Sequence, residues 1–155
     1  MRLRLCALGT RVPRWVEDGF GEYARRLRRA LRLELVEVPL ADRRDGRGEE
    51  RWRREEAQRL RAAAGRDARL VALDERGRGW TSRVLAERID DWRLEGRDVA
   101  FCIGGPDGLA PEFLAAADDR WSLSTLTLPH ALVRIVVAEQ VYRAWTLLTG
   151  HPYHR

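Results

Sequence analysis

The sequence predicts a single α/β domain: a mainly parallel sheet flanked by helices. Two observations carry this reading. Short apolar runs alternate with helix-like segments along all 155 residues, and strands separated by helices argue for parallel pairing covered on both faces. Hydrophobic residues at 45% and charged residues at 34%, with no repeat, low-complexity linker or break in composition, describe one folded unit near the common domain size.

The elements follow in order. "RLRLCALGT" reads as a first strand ending at Gly9. A helix follows from about Pro13, with proline in its first turn and Val16, Phe20, Tyr23 and Leu27 on one face. "LRLELVEVP" alternates apolar and polar residues and stops at Pro39, as a second strand would. Residues 40 to 48 form a charged loop. Residues 49 to 64 make a polar helix with Glu49–Arg53, Glu50–Arg54 and Glu55–Arg59 at i,i+4. "RLVALDE" is a third strand, and Thr81 or Ser82 caps a helix to about Leu94 with Leu85, Ile89 and Trp92 inward. "DVAFCIGG" is a fourth strand, Pro111 to Ala117 a short helix, and "WSLSTL" a fifth strand or extended stretch. A long helix runs from about His130 to Thr149.

Charge and cysteine usage narrow the setting. All 29 basic side chains are arginine. Residues 1 to 65 carry 17 Arg against 11 Asp and Glu, and residues 66 to 155 carry 12 against 13. The positive field therefore sits in the first half, which suits a phosphate-rich partner or a salt-bridged surface equally well. Cys6 and Cys102 lie inside apolar runs, as buried free thiols of a reducing compartment do. The longest apolar stretch, 131 to 148, is interrupted by Arg134, Glu139 and Arg143, so no membrane span is expected. A cytoplasmic protein is the expectation.

In a parallel sheet ligands bind beyond the carboxyl ends of the strands. There the fourth strand runs into "GGPDG", Gly104 to Gly108, where bare backbone could meet a ligand or simply make a tight turn. The loop lacks the Lys-Ser/Thr of a phosphate-binding P-loop. "WSLSTLTLPH", Trp121 to His130, alternates hydroxyls with leucines. If its strand neighbours the fourth, the two segments enclose a pocket of backbone, apolar side chains and hydroxyls, suited to an adenosine-like ligand. The last helix is apolar around most of its girth, with one polar stripe at His130 and Arg134 and another at Glu139, Arg143 and Thr146. One greasy flank is expected in the core and the other against a second copy, although a wholly buried helix fits too. After it come Gly150 and "HPYHR", which hold His151 and His154, two of the three histidines. Their HxxH spacing lacks a third ligand, so no metal site is expected.

"GGPDGL", "WSLSTLTLPHALVRIVVAEQVYRAW" and the terminal "HPYHR" together resemble the large-subunit ribosomal RNA methyltransferase H family, small members of the SPOUT class. The likeness extends to "RLCALGT", "GFGEYARRL" and "ALDERGRGW", and is weakest over residues 40 to 62, a stretch that looks like variable surface. It implies a C-terminal deep trefoil knot, an exception to unknotted topology, and S-adenosylmethionine held by Leu73, Gly104, Gly105 and Leu123 through Leu128, that is Leu123, Ser124, Thr125, Leu126, Thr127 and Leu128. It further implies a homodimer that methylates N3 of a pseudouridine in large-subunit rRNA on assembled ribosomes, with neither metal nor membrane involved. His130, Arg143, Tyr153 and His154 are then the candidates for stabilising or deprotonating the imide and for holding the base. The arginines of "RRLRRALR", from Arg25 on, are candidate phosphate contacts. Two alternatives stand beside this reading: a non-catalytic ribosome-associated RNA-binding factor, and a SPOUT enzyme acting on a tRNA base.

Overall fold

The computed structural model describes residues 1–154. Five strands form one sheet: β1 (Leu3–Leu8), β2 (Leu33–Val38), β3 (Arg69–Gly79), β4 (Val99–Ile103) and β5 (Asp119–Ser122). They lie in the order β2-β1-β4-β3-β5, and every neighbouring pair is parallel. Between them run α1 (Arg14–Leu27), α2 (Glu49–Ala64), α3 (Ser82–Glu95) and α4 (Pro111–Ala116), and α5 (His130–Thr149) closes the domain.

The two-residue period of the strands sorts the core into two layers. Leu3, Leu5, Val71, Val99 and Phe101 point to one face, where Phe20 and Leu27 of α1, Leu85, Ile89 and Trp92 of α3, and Val137 and Val141 of α5 cover them. Cys6, Leu8, Leu70, Ala100 and Cys102 point to the other, under Ala57 and Leu60 of α2 and Phe113 in the first turn of α4. Cys6 and Cys102 stand opposite each other in the β1–β4 register as buried free thiols. Their contact holds the Cys6 thiol below its usual range and pushes Cys102 up, with burial adding to the latter.

Three departures from the sequence reading affect the site. First, β3 continues past Glu75 to Gly79 through a register shift between Leu73 and Arg78, and rejoins β5 with Arg78 opposite Trp121. A Cβ on Gly77 would stand 2.7 Å from the Arg120 carbonyl carbon, so only glycine lets the two backbones meet. Second, β5 begins at Asp119 and ends at Ser122, leaving 123–129 as a loop, and its neighbour is β3 rather than β4. Third, the His130–Arg134 stripe of α5 is divided, with His130 exposed at the start of the helix and Arg134 buried. Arg134 is 2% exposed. It donates to Glu37 Oε2 on β2 and to the Gly9 carbonyl, both at 2.7 Å. α5 packs between α1 and α3 and turns Leu132, Val136, Glu139 and Arg143 outward. No helix among the described residues is long and apolar enough to cross a membrane.

Candidate functional site: a glycine-loop cleft and a folded-back tail

A cleft of about 440 Å³ opens beyond the carboxyl end of β4 and beside the register shift of β3, where Leu73 to Arg76 line it. One wall is the chain leaving β4 from Gly104 to Leu109, and the opposite wall is the loop leaving β5. The cleft forms although β4 and β5 are not neighbours, because the loop after β5 faces the glycine loop across the shifted part of β3. Leu73, Gly104, Gly105, Leu123, Ser124, Leu126, Thr127 and Leu128 all line it, with His130 at the start of α5. Thr125 does not line it and is exposed.

The loops are built rather than slack. Gly108 takes φ +77°, and its N–H donates to the Gly105 carbonyl at 3.0 Å, closing a tight turn. A Cβ on Gly104 would stand 2.8 Å from the Gly108 carbonyl carbon and 2.9 Å from Leu109 N, so the turn can fold back on itself only over glycine. Both readings of "GGPDG" therefore apply, since the turn is also a cleft wall. On the other side the Ser122 hydroxyl donates to the Ser124 carbonyl at 3.0 Å, and Ser124 Oγ accepts from Leu126 N at 2.9 Å. The serines shape their own loop. Trp121, which also lines the cleft, stacks on Trp80 with ring centroids 5.1 Å apart, and this stiffens the floor.

Sequence reasoning missed Asp74, Glu75, Arg76 and Asp107, which add charge to the mouth of the cleft, and Arg53 from α2. For the first three the available signal was Gly77 and Gly79 inside a strand, the mark of a bulge that re-aims side chains. Arg53 gives no such signal, because it sits in a helix rich in arginine.

The remaining candidates gather at the far end of α5. Gly150 caps the helix with φ +69°, and His151 N–H donates to the Thr146 carbonyl at 3.0 Å. Pro152–His154 then forms one 3₁₀ turn that folds back on the helix instead of fraying. The Tyr153 hydroxyl donates to Glu139 Oε1 at 3.1 Å, its ring meets Tyr142 edge-on at 4.6 Å, and the Arg143 guanidinium lies 5.1 Å from its centroid. Arg143 Nε donates to the same Glu139 oxygen at 2.9 Å. Desolvation, with smaller effects from Tyr23 and Glu139, pushes the Tyr153 phenol up to about 12. His154 Nδ1 is shut away from solvent without a hydrogen-bond partner among the described residues. Arg155 lies outside the described residues.

Within one chain, then, Arg143, Tyr153 and His154 come together and His130 does not join them. Thirteen residues of helix separate His130 from Arg143, about 20 Å at 1.5 Å per residue. His130 belongs to the cleft, where desolvation and the Arg134 charge lower its pKa and favour the neutral ring. Among the described residues, no group of three or more His, Cys, Asp or Glu is placed to hold a metal ion. Of the proposed phosphate contacts, Arg25 and Arg26 are both bonded to Glu22.

Comparison with known proteins agrees with this architecture. The ribosomal RNA large subunit methyltransferase H of Pseudomonas fluorescens is 54% identical over 155 residues, covering all of both chains, and that of Pseudomonas aeruginosa is 53% identical over the same span. Among solved structures, a probable methylase family protein from Haemophilus influenzae superposes with a TM-score of 0.57 at 18% identity, over 99% of this chain and 70% of that one. TrmJ from Z. mobilis superposes with a TM-score of 0.51 at 21% identity, over 94% and 70%. These two likenesses concern the fold. Residues 1–154 match the family described as "Predicted SPOUT methyltransferase", and together with the full-length relatives this shows that the chain belongs to the SPOUT methyltransferases, within the ribosomal RNA large subunit methyltransferase H family.

Proposed function

We propose that the chain is an S-adenosylmethionine-dependent methyltransferase of large-subunit ribosomal RNA, working as a homodimer and methylating N3 of a pseudouridine on assembled ribosomes. The observation that carries this is the cleft. Its volume of about 440 Å³ falls in the range of small-molecule sites, and its walls are glycine backbone, leucines and hydroxyl-bearing loops. Such a lining fits an adenosine moiety: backbone groups meet the base edge, and leucines cover its faces. Leu73, Gly104, Gly105 and the 123–128 loop would hold the cofactor, and the knot would lie where that loop faces the glycine loop across β3. Full-length relatives named as rRNA methyltransferases support the RNA target.

When bound, the cofactor supplies an already activated methyl group, so neither a covalent enzyme intermediate nor a metal is required. The protein's share is to orient the acceptor and to manage the imide proton, and orientation alone can contribute roughly 7–11 kcal/mol. Tyr153, with its raised pKa, stays protonated at neutral pH and acts as a hydrogen-bond donor or stacking surface for the base. Arg143 supplies a cation for the developing imide anion. His154, whose Nδ1 has no partner among the described residues, and the neutral His130 are the groups able to accept the proton. Because the tail group lies about 20 Å along α5 from the cleft's own histidine, the complete site combines one protomer's cleft with its partner's tail. The outward stripe of Leu132, Val136, Glu139 and Arg143 is the surface through which two α5 helices would meet.

The test is methyl transfer from labelled cofactor to ribosomes of a strain lacking the protein, followed by mass mapping of the rRNA. The reading predicts one new methyl group on a large-subunit pseudouridine. Label on tRNA instead would favour the tRNA enzyme. Absence of any thermal stabilisation by saturating S-adenosylmethionine would favour a non-catalytic ribosome factor.

A further inference from the structure

The loop over residues 40–48, by sequence the least informative stretch, is tied to the cofactor cleft. Glu56 of α2 is 1% exposed. Its Oε1 accepts from Ala41 N at 2.9 Å and from the Arg43 guanidinium. The other end of that guanidinium, Nη2, donates to Asp107 Oδ2 at 2.7 Å. Asp107 sits in the glycine turn and lines the cleft. The bridge is held on three further sides: Arg43 Nη1 donates to the Ala41 carbonyl at 2.9 Å, Arg43 lies 5.4 Å from the Trp52 ring, and Trp52 Nε1 donates to Asp45 at 2.7 Å. Glu56 Oε2, buried and without a hydrogen-bond partner among the described residues, lies 3.5 Å from where a Gly105 Cβ would stand, and Leu40 Cδ2 lies 2.8 Å from that point. The turn thus rests directly on the Leu40 and Glu56 side chains.

We propose that Arg43 is a positioning residue for the methyl-donor cleft: anchored on Glu56, it holds Asp107 and thereby sets the position of the Gly104–Gly108 turn that receives the cofactor. A buried carboxylate with one cation is a stiff anchor, because removing the cation strands a charge. Arg43 is well suited to the task, since its planar fork reaches two carboxylates in fixed directions, whereas the point charge of a lysine serves one. Asp107 is tethered at the far side of the turn from Gly104, so releasing it loosens the wall without removing an atom of the other lining residues. The wall is then no longer preorganised, and cofactor binding has to order it.

The inference rests on the cleft being the cofactor site, and calorimetric titration of S-adenosylmethionine into the full-length protein tests the two separately. Arg43→Ala removes the cation paired with a buried carboxylate and can unfold the chain, so Asp107→Ala, which leaves Arg43–Glu56 intact, and Arg43→Lys are the primary variants. Expected are a Kd and a KM for S-adenosylmethionine raised about tenfold in Asp107→Ala, and in Arg43→Lys, which lies outside the cleft lining, a smaller rise with kcat at saturating cofactor within about twofold of wild type. Adding Arg43→Lys to Asp107→Ala should raise Kd little further, because both break one bridge. Wild-type Kd in folded Asp107→Ala and Arg43→Lys would overturn the positioning role while leaving the cofactor site standing. A fall in kcat with unchanged KM would also overturn it. No binding of S-adenosylmethionine to the wild type would remove both readings.

Discussion

Glycine 104 and tyrosine 153 show how single residues carry the account. Any side chain at 104 must displace backbone atoms of the same turn, at 2.8 and 2.9 Å, and not a flexible side chain that could move aside. Gly104→Ala is therefore expected to cost about 1–3 kcal/mol of stability, typical of overpacking, and to abolish the thermal shift caused by S-adenosylmethionine. Chemical denaturation with and without cofactor checks both. Tyr153 gives a pH signature. Its folded-state pKa is raised from 10 to about 12, so its contribution to stability is complete below pH 10 and is lost as pH rises from 10 towards 12. Tyr153→Phe should lack that alkaline limb in a plot of denaturation midpoint against pH. His130 shifts the other way. Its lowered pKa keeps the ring neutral in the folded protein, so stability declines as pH falls below 6.5, where the unfolded chain takes up the proton first. If His130 accepts the imide proton, the acid limb of kcat also lies below pH 6.5.

At the scale of elements, α5 is the helix whose environment departs most from its sequence pattern. The spacing of His130 and Arg134 reads as a polar stripe, yet Arg134 reaches across to β2 and is sealed there by Glu37 and the Gly9 carbonyl. Arg134→Met should cost about 3 kcal/mol, the low end for breaking a buried ion pair, because Glu37 retains some access to water. Unfolding midpoints in urea measure this. The bounds of α2 and α5 were readable from the sequence, since i,i+4 ion pairs and a long apolar surface ending at Gly150 are local signals. The length of β3 and the neighbour of β5 were not. Register and strand order are decided by contacts between segments far apart in the chain, here by the Gly77 crossing against Arg120 and Trp121. The same limit applies to the site. Glycine-rich and hydroxyl-rich loops announce themselves locally, and of the nine cofactor contacts that the family resemblance implies, eight meet in one cleft. The Arg43–Asp107 bridge spans 64 positions and left no local trace.

For the whole molecule, the distribution of the proposed catalytic groups is the main constraint. One chain holds a cleft at one end of α5 and a folded tail at the other, about 20 Å apart, and under the proposed function neither half alone is a complete methylation site. A two-fold pairing through the outward stripe of α5 would bring each tail towards the partner's cleft. Leu132, exposed at 39%, is a suitable probe of that pairing. Leu132→Glu should convert the proposed dimer to a monomer in sedimentation and reduce methyl transfer at least tenfold, while leaving the circular dichroism of the monomer intact. Two separately inactivated proteins test the composite site most directly: one with a cleft blocked by Gly104→Trp, one with a tail disabled by His154→Ala. After subunit exchange, verified by native mass spectrometry, random pairing leaves half the dimers mixed with one intact site each. The account predicts that methylation of large-subunit rRNA returns to roughly a quarter of the wild-type rate. A mixture as inactive as its components, with exchange verified, would contradict it.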